Sequence, residues 1–183
     1  SNAMRQLTAH LISLGHRRIA YIGQRDGSDF VEREEGYKLG LADAGIEYNP
    51  DLVCEHDEIY DPHYPGWVEY QEAIDHWLTM PNRPTAIMAN TDRWASWTIE
   101  YATSKGMKIP EDISVTGFDG SQLGAEMEIT SMAQDFHKIG ELGVRTLIKL
   151  MSGAPVEECM ATFDCTMVMR KSTGPAPKVK CPK

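Results

Sequence analysis

Short apolar runs alternate with longer amphipathic stretches along most of this chain, and that alternation limits the possible folds more than any other feature. Ile19-Ala20-Tyr21-Ile22 is apolar at every position and ends at Gly23, as a strand covered on both faces does. Before it, Leu7, Leu11, Ile12 and Leu14 recur at helical spacing, and Gly15 offers a left-handed stop. Polar residues 24–29 lead into a helix carrying Tyr37, Leu39 and Leu41, which closes near Gly45. Leu52-Val53-Cys54 is a short second strand, and the stretch 57–66, with Pro62 and Pro65, is a loop. Val68 to Leu78 is helical, with Tyr70, Ala73, Ile74, Trp77 and Leu78 on one side. Pro84 precedes a third strand, Thr85 to Ala89, and Asp92 caps a helix that stops at Gly106. Ile113 to Phe118 is a fourth strand, and after a loop over 120–128 comes a short extended piece, Ile129 to Ala133. Asp135 caps a last helix through Met151, with Gly153 as its stop; 160–169 alternates loosely as one or two strands, and a tail starts at Lys171. Strands separated by helices predict an α/β fold, a Rossmann-like parallel sheet flanked by helices.

Composition narrows the function classes. Hydrophobic residues make up 42% of the 183 and charged residues 25%, which suits a folded domain with a real core rather than a disordered segment. A formal net charge of −9 repels phosphate backbones, so the overall field of this chain does not favour nucleic acid. No apolar run reaches the length of a membrane span, and no charged-then-apolar leader precedes Met4. Ser1-Asn2-Ala3 reads as a tag-cleavage scar. Cys54, Cys159, Cys165 and Cys181 are scattered, as free thiols in a reducing cytoplasm are, rather than spaced for a disulfide framework or zinc.

In an open α/β sheet, ligands bind beyond the carboxyl ends of the strands, where backbone N–H groups and helix N-termini converge. Four junctions bring polar groups there: 24–33, 57–60, Asn90-Thr91-Asp92, and Asp119. Asp92 also fits an ordinary helix cap, Asp119 could cap the next turn, and Arg33 could pair with Glu34 or Glu35 at the surface. Together, two carboxylates and a guanidinium at one rim suit a polyhydroxylated or otherwise polar ligand.

Catalytic patterns are weaker. Gly23-Gln24-Arg25-Asp26-Gly27-Ser28 is neither a dinucleotide fingerprint nor a Walker loop, and neither a GxSxG elbow nor an HExxH helix occurs. His16 follows a helix stop and suits closure of that helix end as a cation better than a base. His56, His63 and His76 lack ligand spacing. Asp92 with Asp119 could hold magnesium, but no nucleophile and lysine accompany them.

Five phrases, in order along the chain, resemble the lactose/galactose-repressor family of bacterial transcription regulators. They are His10-Leu11-Ile12-Ser13-Leu14-Gly15-His16-Arg17-Arg18-Ile19-Ala20-Tyr21-Ile22-Gly23, Arg33-Glu34-Glu35-Gly36-Tyr37, Pro84-Thr85-Ala86-Ile87, Ile109-Pro110-Glu111-Asp112-Ile113-Ser114-Val115-Thr116-Gly117-Phe118-Asp119, and Arg170-Lys171-Ser172-Thr173. The resemblance implies a periplasmic-binding-protein-like (type I) clamshell of two lobes that holds a small-molecule effector between them. It implies no enzyme activity, no cofactor and no metal. Operator DNA is touched only through an N-terminal headpiece preceding this segment in complete members, which act as homodimers. Roughly the first half of such a member is missing here. The implied layout is a scar at 1–3, a remnant helix of the first lobe at 4–14, and the second effector-binding lobe at 15–133. A first-lobe helix follows at 134–153, then C-terminal strands of the second lobe at 154–173 and a tail at 174–183. A fragment of a periplasmic sugar-binding protein, or a magnesium-dependent enzyme at the sheet edge, are the competing readings.

Carried over residue by residue, the family's effector-binding arginine falls on Arg33, with a polar contact near Asp29. Its Asn-Asp pair aligns with Thr91-Asp92, with Asn90 one residue earlier, and the aspartate of its Gly-Phe-Asp-Asp phrase is Asp119, followed by Gly120 instead of a second Asp. Phe136, in Gln134-Asp135-Phe136, is implied to place its ring in the pocket, and Ile59 or Tyr60 stands for a further aromatic. Trp94, Trp97, Ile99 and Tyr101 lie on a helix resembling one used for subunit contact, although part of this set could pack on the sheet. A lone half-pocket predicts weak effector affinity or none. The helix from Asp135 to Met151 is expected to expose Ile139, Leu142, Leu147 and Leu150, an apolar patch that invites oligomers.

Overall fold

The computed structural model describes residues 2–24, 27–56, 66–160 and 162–178. Its centre is a six-stranded sheet in the order β2-β1-β3-β4-β5-β6, built from β1 (Ile19–Gln24), β2 (Val53–His56), β3 (Ala86–Ala89), β4 (Ser114–Asp119), β5 (Thr130–Ala133) and β6 (Thr166–Val168). All pairings are parallel except β5 with β6. The chain leaves β1 toward β2 on one side and enters β3 on the other, so a crevice opens at the carboxyl ends of β1 and β3.

Alternate residues of β1 feed two cores. Ala20 and Ile22 face a layer with Tyr70, Ile74, Trp77, Trp94 and Trp97, from α3 (Gly66–Thr79) and α4 (Asp92–Ser104). Ile19 and Tyr21 face Leu7, Leu11, Tyr37 and Leu41, from α1 (Asn2–Ser13) and α2 (Ser28–Asp43). Burial on both faces is why the strand runs read as continuously apolar.

Several expectations change. The 4–14 helix packs into one of the two cores: Met4, Leu7 and Leu11 are buried, and Arg5 pairs with Asp43 of α2. It begins at Asn2, within the stretch read as a scar. The second strand starts one residue late, because Pro50 to Leu52 form a short 3-10 turn. The loop 120–128 contains a five-residue helix, α5 (Gln122–Glu126), capped by Ser121. Among the described residues of the stretch 160–169, only Thr166 to Val168 form a strand.

Residues 170–176, expected as the end of a strand and a tail, form instead a strap across the amino edge of the sheet. Ser172 is buried; its N–H donates to Glu128 O at 3.0 Å, its hydroxyl to Val115 O at 2.6 Å, and its carbonyl accepts from Val115 N at 2.8 Å. Ala176 N reaches Leu14 O at 2.9 Å. His16 is fully buried beneath the strap, with Nε2 donating to Gly174 O at 3.0 Å and Nδ1 bonded to the Thr85 hydroxyl at 2.9 Å. Burial lowers its pKa, so it is an uncharged strut and not the helix-end cation anticipated. Its backbone N–H, donating to Leu11 O, closes α1 instead.

The last helix, α6 (Phe136–Met151), is capped by Asp135 as expected, with Oδ1 accepting from Lys138 N at 3.0 Å. None of its residues is buried; Leu147 and Leu150 are 56% and 37% exposed, while Ile139 and Leu142 are half-buried.

Candidate functional site

The carboxyl edge of the sheet collects Arg33, Asn90, Asp92 and Asp119 through three of the four junctions named from the sequence; residues 57–60, with Ile59 and Tyr60, lie outside the described residues. Arg33 sits on the second turn of α2 and reaches back over the sheet. Its Nη1 donates to Asn90 O, and its Nη2 lies 3.4 Å from Asp119 Oδ1 and 3.6 Å from Asp29 Oδ2. The guanidinium carbon is 4.1 Å from the Phe118 ring centroid and 5.4 Å from that of Phe30. Held by ring faces and acceptors, this side chain is only 11% exposed and presents a fixed fork. It pairs with neither Glu34 nor Glu35; Glu34 bonds Lys38 and Tyr48 instead.

Asp119 ends β4 at φ +106, a region non-glycine residues seldom occupy, and Gly120 follows at φ +66. A Cβ on Gly120 would fall 2.6 Å from Ala133 Cα, so this turn has no room for the second aspartate of the family phrase. The turn aims the Asp119 carboxylate at Arg33, and Gln134 Nε2 donates to the same oxygen at 2.9 Å. Burial pushes the Asp119 carboxyl up to about 6; Arg33 and the Gln134 hydrogen bond pull against that, and Asp92 adds to it.

Asp92 is not the cap of α4. Thr91 is, its hydroxyl accepting from Trp94 N at 3.2 Å. Asp92, one residue inside, is buried between Gly117 and Gly124, where Cβ atoms would strike its carboxylate. Its Oδ2 accepts from Ser121 N at 2.6 Å and Ser121 Oγ at 2.9 Å. It therefore fastens the turn that follows Asp119 and positions that residue. With Arg33 already supplying a positive charge to Asp119, and Asp92 turned to Ser121, the pair does not form a magnesium site.

A cleft of about 460 Å³ opens beside this cluster and has the size of a small-ligand site. Asp29, Glu32, Arg33, Phe118 and Gln134 line it, together with the segment 162–165 and the first turns of α1. Asp119 stands behind it, bonded to Arg33 and Gln134. The side chain of Asn90 is fully buried, and among the described residues neither of its polar atoms has a hydrogen-bond partner. Phe136, 57% exposed on α6, is not part of the lining; Gln134, two residues earlier, takes that place. Phe118, Gln134 and the 162–165 segment carry no local signal of a cleft wall, although Phe118 and Gln134 both lie in phrases already singled out. On the helix that resembles a subunit-contact one, Trp94 and Trp97 are 4% and 7% exposed and meet edge to face, and Tyr101 donates to Asp75 Oδ2 at 2.9 Å. Their helical spacing is that of the sheet-facing stripe.

Residues 8–173 match the periplasmic binding protein-like domain. The chain belongs to that family. As a periplasmic binding protein-like domain it is 32% identical over 171 residues to the HTH-type transcriptional regulator CelR of Thermobifida fusca, covering 92% of this chain and 48% of that protein. A LacI transcriptional regulator structure from a Rhodococcus species superposes with a TM-score of 0.79 at 26% identity, covering 96% of this chain and 63% of the other. A CelR–cellobiose complex superposes at 0.77 and 30% identity, covering 93% and 51%. The chain spans about half the length of the curated relatives it matches. Among the described residues no helix is long and apolar enough to cross a membrane.

Proposed function

We propose that this chain is the effector-sensing domain of a bacterial transcription regulator, binding a small, polar, sugar-like molecule in the cleft at Arg33, and that it is not an enzyme. The observation that carries the reading is the clamped guanidinium of Arg33, flanked by Phe118 and backed by Asp119 and Gln134, at the crevice where open α/β sheets take ligands. An aromatic face beside fixed donors and acceptors suits a sugar ring and its hydroxyls. The likeness to a CelR–cellobiose complex supports the same ligand class. The regulator as a whole would hold operator DNA through a headpiece and act as a homodimer in the cytoplasm. There, effector binding would shift its two lobe arrangements by linkage. In that assembly α6 would pack on the other lobe, which suits a helix that buries none of its residues here.

One wall of a clamshell leaves much of a ligand in water, so millimolar affinity is expected of the chain alone. A ¹⁵N NMR titration with mono- and disaccharides and nucleosides tests this. Amide shifts confined to Asn90, Asp119, Gly120 and Gln134, and abolished by Arg33→Ala, support the reading. Silence toward every compound at high millimolar concentration, or shifts mapping to another face, overturns it.

A further inference from the structure

Six large apolar side chains of α6 stand in water: Phe136, Val144, Leu147, Ile148, Leu150 and Met151 are 37–80% exposed. Ile139, Leu142 and Thr146, at helical spacing, are half-buried and mark the side turned toward the rest of the chain. Along the exposed side Phe136, Gly140, Gly143, Leu147 and Met151 follow one another at steps of three and four, with Val144 beside Gly143, so they form one stripe. A Cβ on Gly140 or Gly143 would meet nothing within 4 Å, so both are open notches.

The stripe is its own complement. Turned end for end about a point between Gly143 and Val144, Gly140 falls opposite Leu147, Gly143 opposite Val144, and Phe136 opposite Met151. Each notch then receives a branched side chain, and a flexible thioether meets the aromatic ring, which is what a two-fold interface between identical helices requires. The charges of the helix lie off the stripe and pair locally, Arg145 with Glu141 at 2.7 Å and Lys138 with Asp135 at 3.1 Å, so joining two stripes buries no ion. We propose that α6 is a self-recognition surface, on which a second copy of this chain docks antiparallel with Leu147 of each copy seated in the notch at Gly140 of the other. Covering roughly 100 Å² of each of the six side chains on both copies removes about 1,200 Å² from water, the lower end of a specific interface. An area of that size suits a dissociation constant of about 10–100 µM. In a complete regulator the other lobe would take this face; in the chain by itself a second copy takes it.

Sedimentation equilibrium from about 1 to 500 µM, without ligand, should show a monomer giving way to a dimer and to nothing larger. Gly140→Leu adds apolar surface and helix propensity but fills the notch, so it should weaken pairing at least about tenfold. Adding Leu147→Ala to it opens a notch opposite the new side chain and should bring the affinity back to within about threefold of the parent. Unfolding by urea at about 1 µM, where the chain is monomeric, should show both variants folded, which separates lost pairing from lost structure. A monomer at every concentration overturns the proposal, as do species larger than a dimer. A Gly140→Leu chain that associates as tightly as the parent or more so also overturns it, because that is how an indiscriminate apolar patch behaves, and so does a double variant no tighter than the single one. Association is read without any effector, so none of these results bears on the effector reading.

Discussion

Replacing Asp119 with Asn should stabilise the ligand-free chain at neutral pH while destroying its site. The carboxyl is raised from 3.8 to about 6, chiefly by burial, and this shift already includes the attraction of Arg33. Holding the charged form in the folded state therefore costs about 3 kcal/mol once the pH exceeds both values. Asn keeps an oxygen for Gln134 Nε2, tolerates a positive φ better than most residues, and carries no charge. An amide replaces the carboxyl imperfectly, so a gain of about 1–3 kcal/mol is expected, or roughly 2–4 °C of Tm per kcal/mol for a chain of this size. The pH dependence identifies the cause. Because the folded-state pKa is raised, the parent's protonated Asp119 favours folding fully below 3.8, and that contribution is lost as the pH rises through about 6. The variant's advantage should thus be small near pH 4, grow between there and pH 7, and stay level above. Urea titrations of both proteins across this range provide the measurement. A variant less stable than the parent at pH 8, or more stable by the same amount at every pH, would refute the reasoning.

Three further outcomes follow from the same geometry. Gly120→Ala should cost well over 2 kcal/mol in chemical denaturation, because strain at φ +66 adds to a collision with Ala133, whereas Gly106→Ala, at φ +86 in open space, should cost only about 1. His16 is depressed by burial, so its contribution is present above pH 6.5 and lost as the pH falls through the lowered folded-state value; His16→Gln should be less stable than the parent at pH 8 and close much of that gap by pH 5. Leu11→Ala should cost about 2–5 kcal/mol, and Leu147→Ala on α6 less than about 0.5, in chemical denaturation; comparable losses would show that α6 is packed on the rest of this chain.

The parts of the fold that were legible in the sequence rest on local physics. Fully apolar runs such as Ile19 to Ile22 could only be strands covered on both faces, and a helix stop such as Gly15 or Gly106 needs the φ > 0 that glycine supplies. The cap of α4 was misplaced by one residue because Thr91 and Asp92 are both good caps, and the choice was made by tertiary contacts: Ser121 needed the Asp92 carboxylate. The strap over 170–176 was invisible for a related reason. Prolines and lysines describe a tail, yet Ser172 bonds to Val115 and Glu128, partners at a distance in sequence that no periodicity reports.

The site divides along the same line. Resemblance located Arg33 and Asp119, and the structure joins them through an ion pair. What neither pattern nor resemblance could supply is the way each is held. Arg33 is immobilised by an aromatic ring at the end of β4, whose apolar character had already marked it as core. Phe118 is therefore both core and cleft wall, and a reading that sorts residues into packing or function assigns it once. Trp94 and Trp97 invite the opposite error: aromatic residues on a helix suit an interface or a core equally until burial decides. Asp92 combines both lessons. It is a buried carboxylate at the ligand edge of the sheet, yet its work is to grip Ser121 and so set the turn that aims Asp119. Its replacement should loosen the site without removing any group from the cleft, so any loss of affinity would come from position rather than contact.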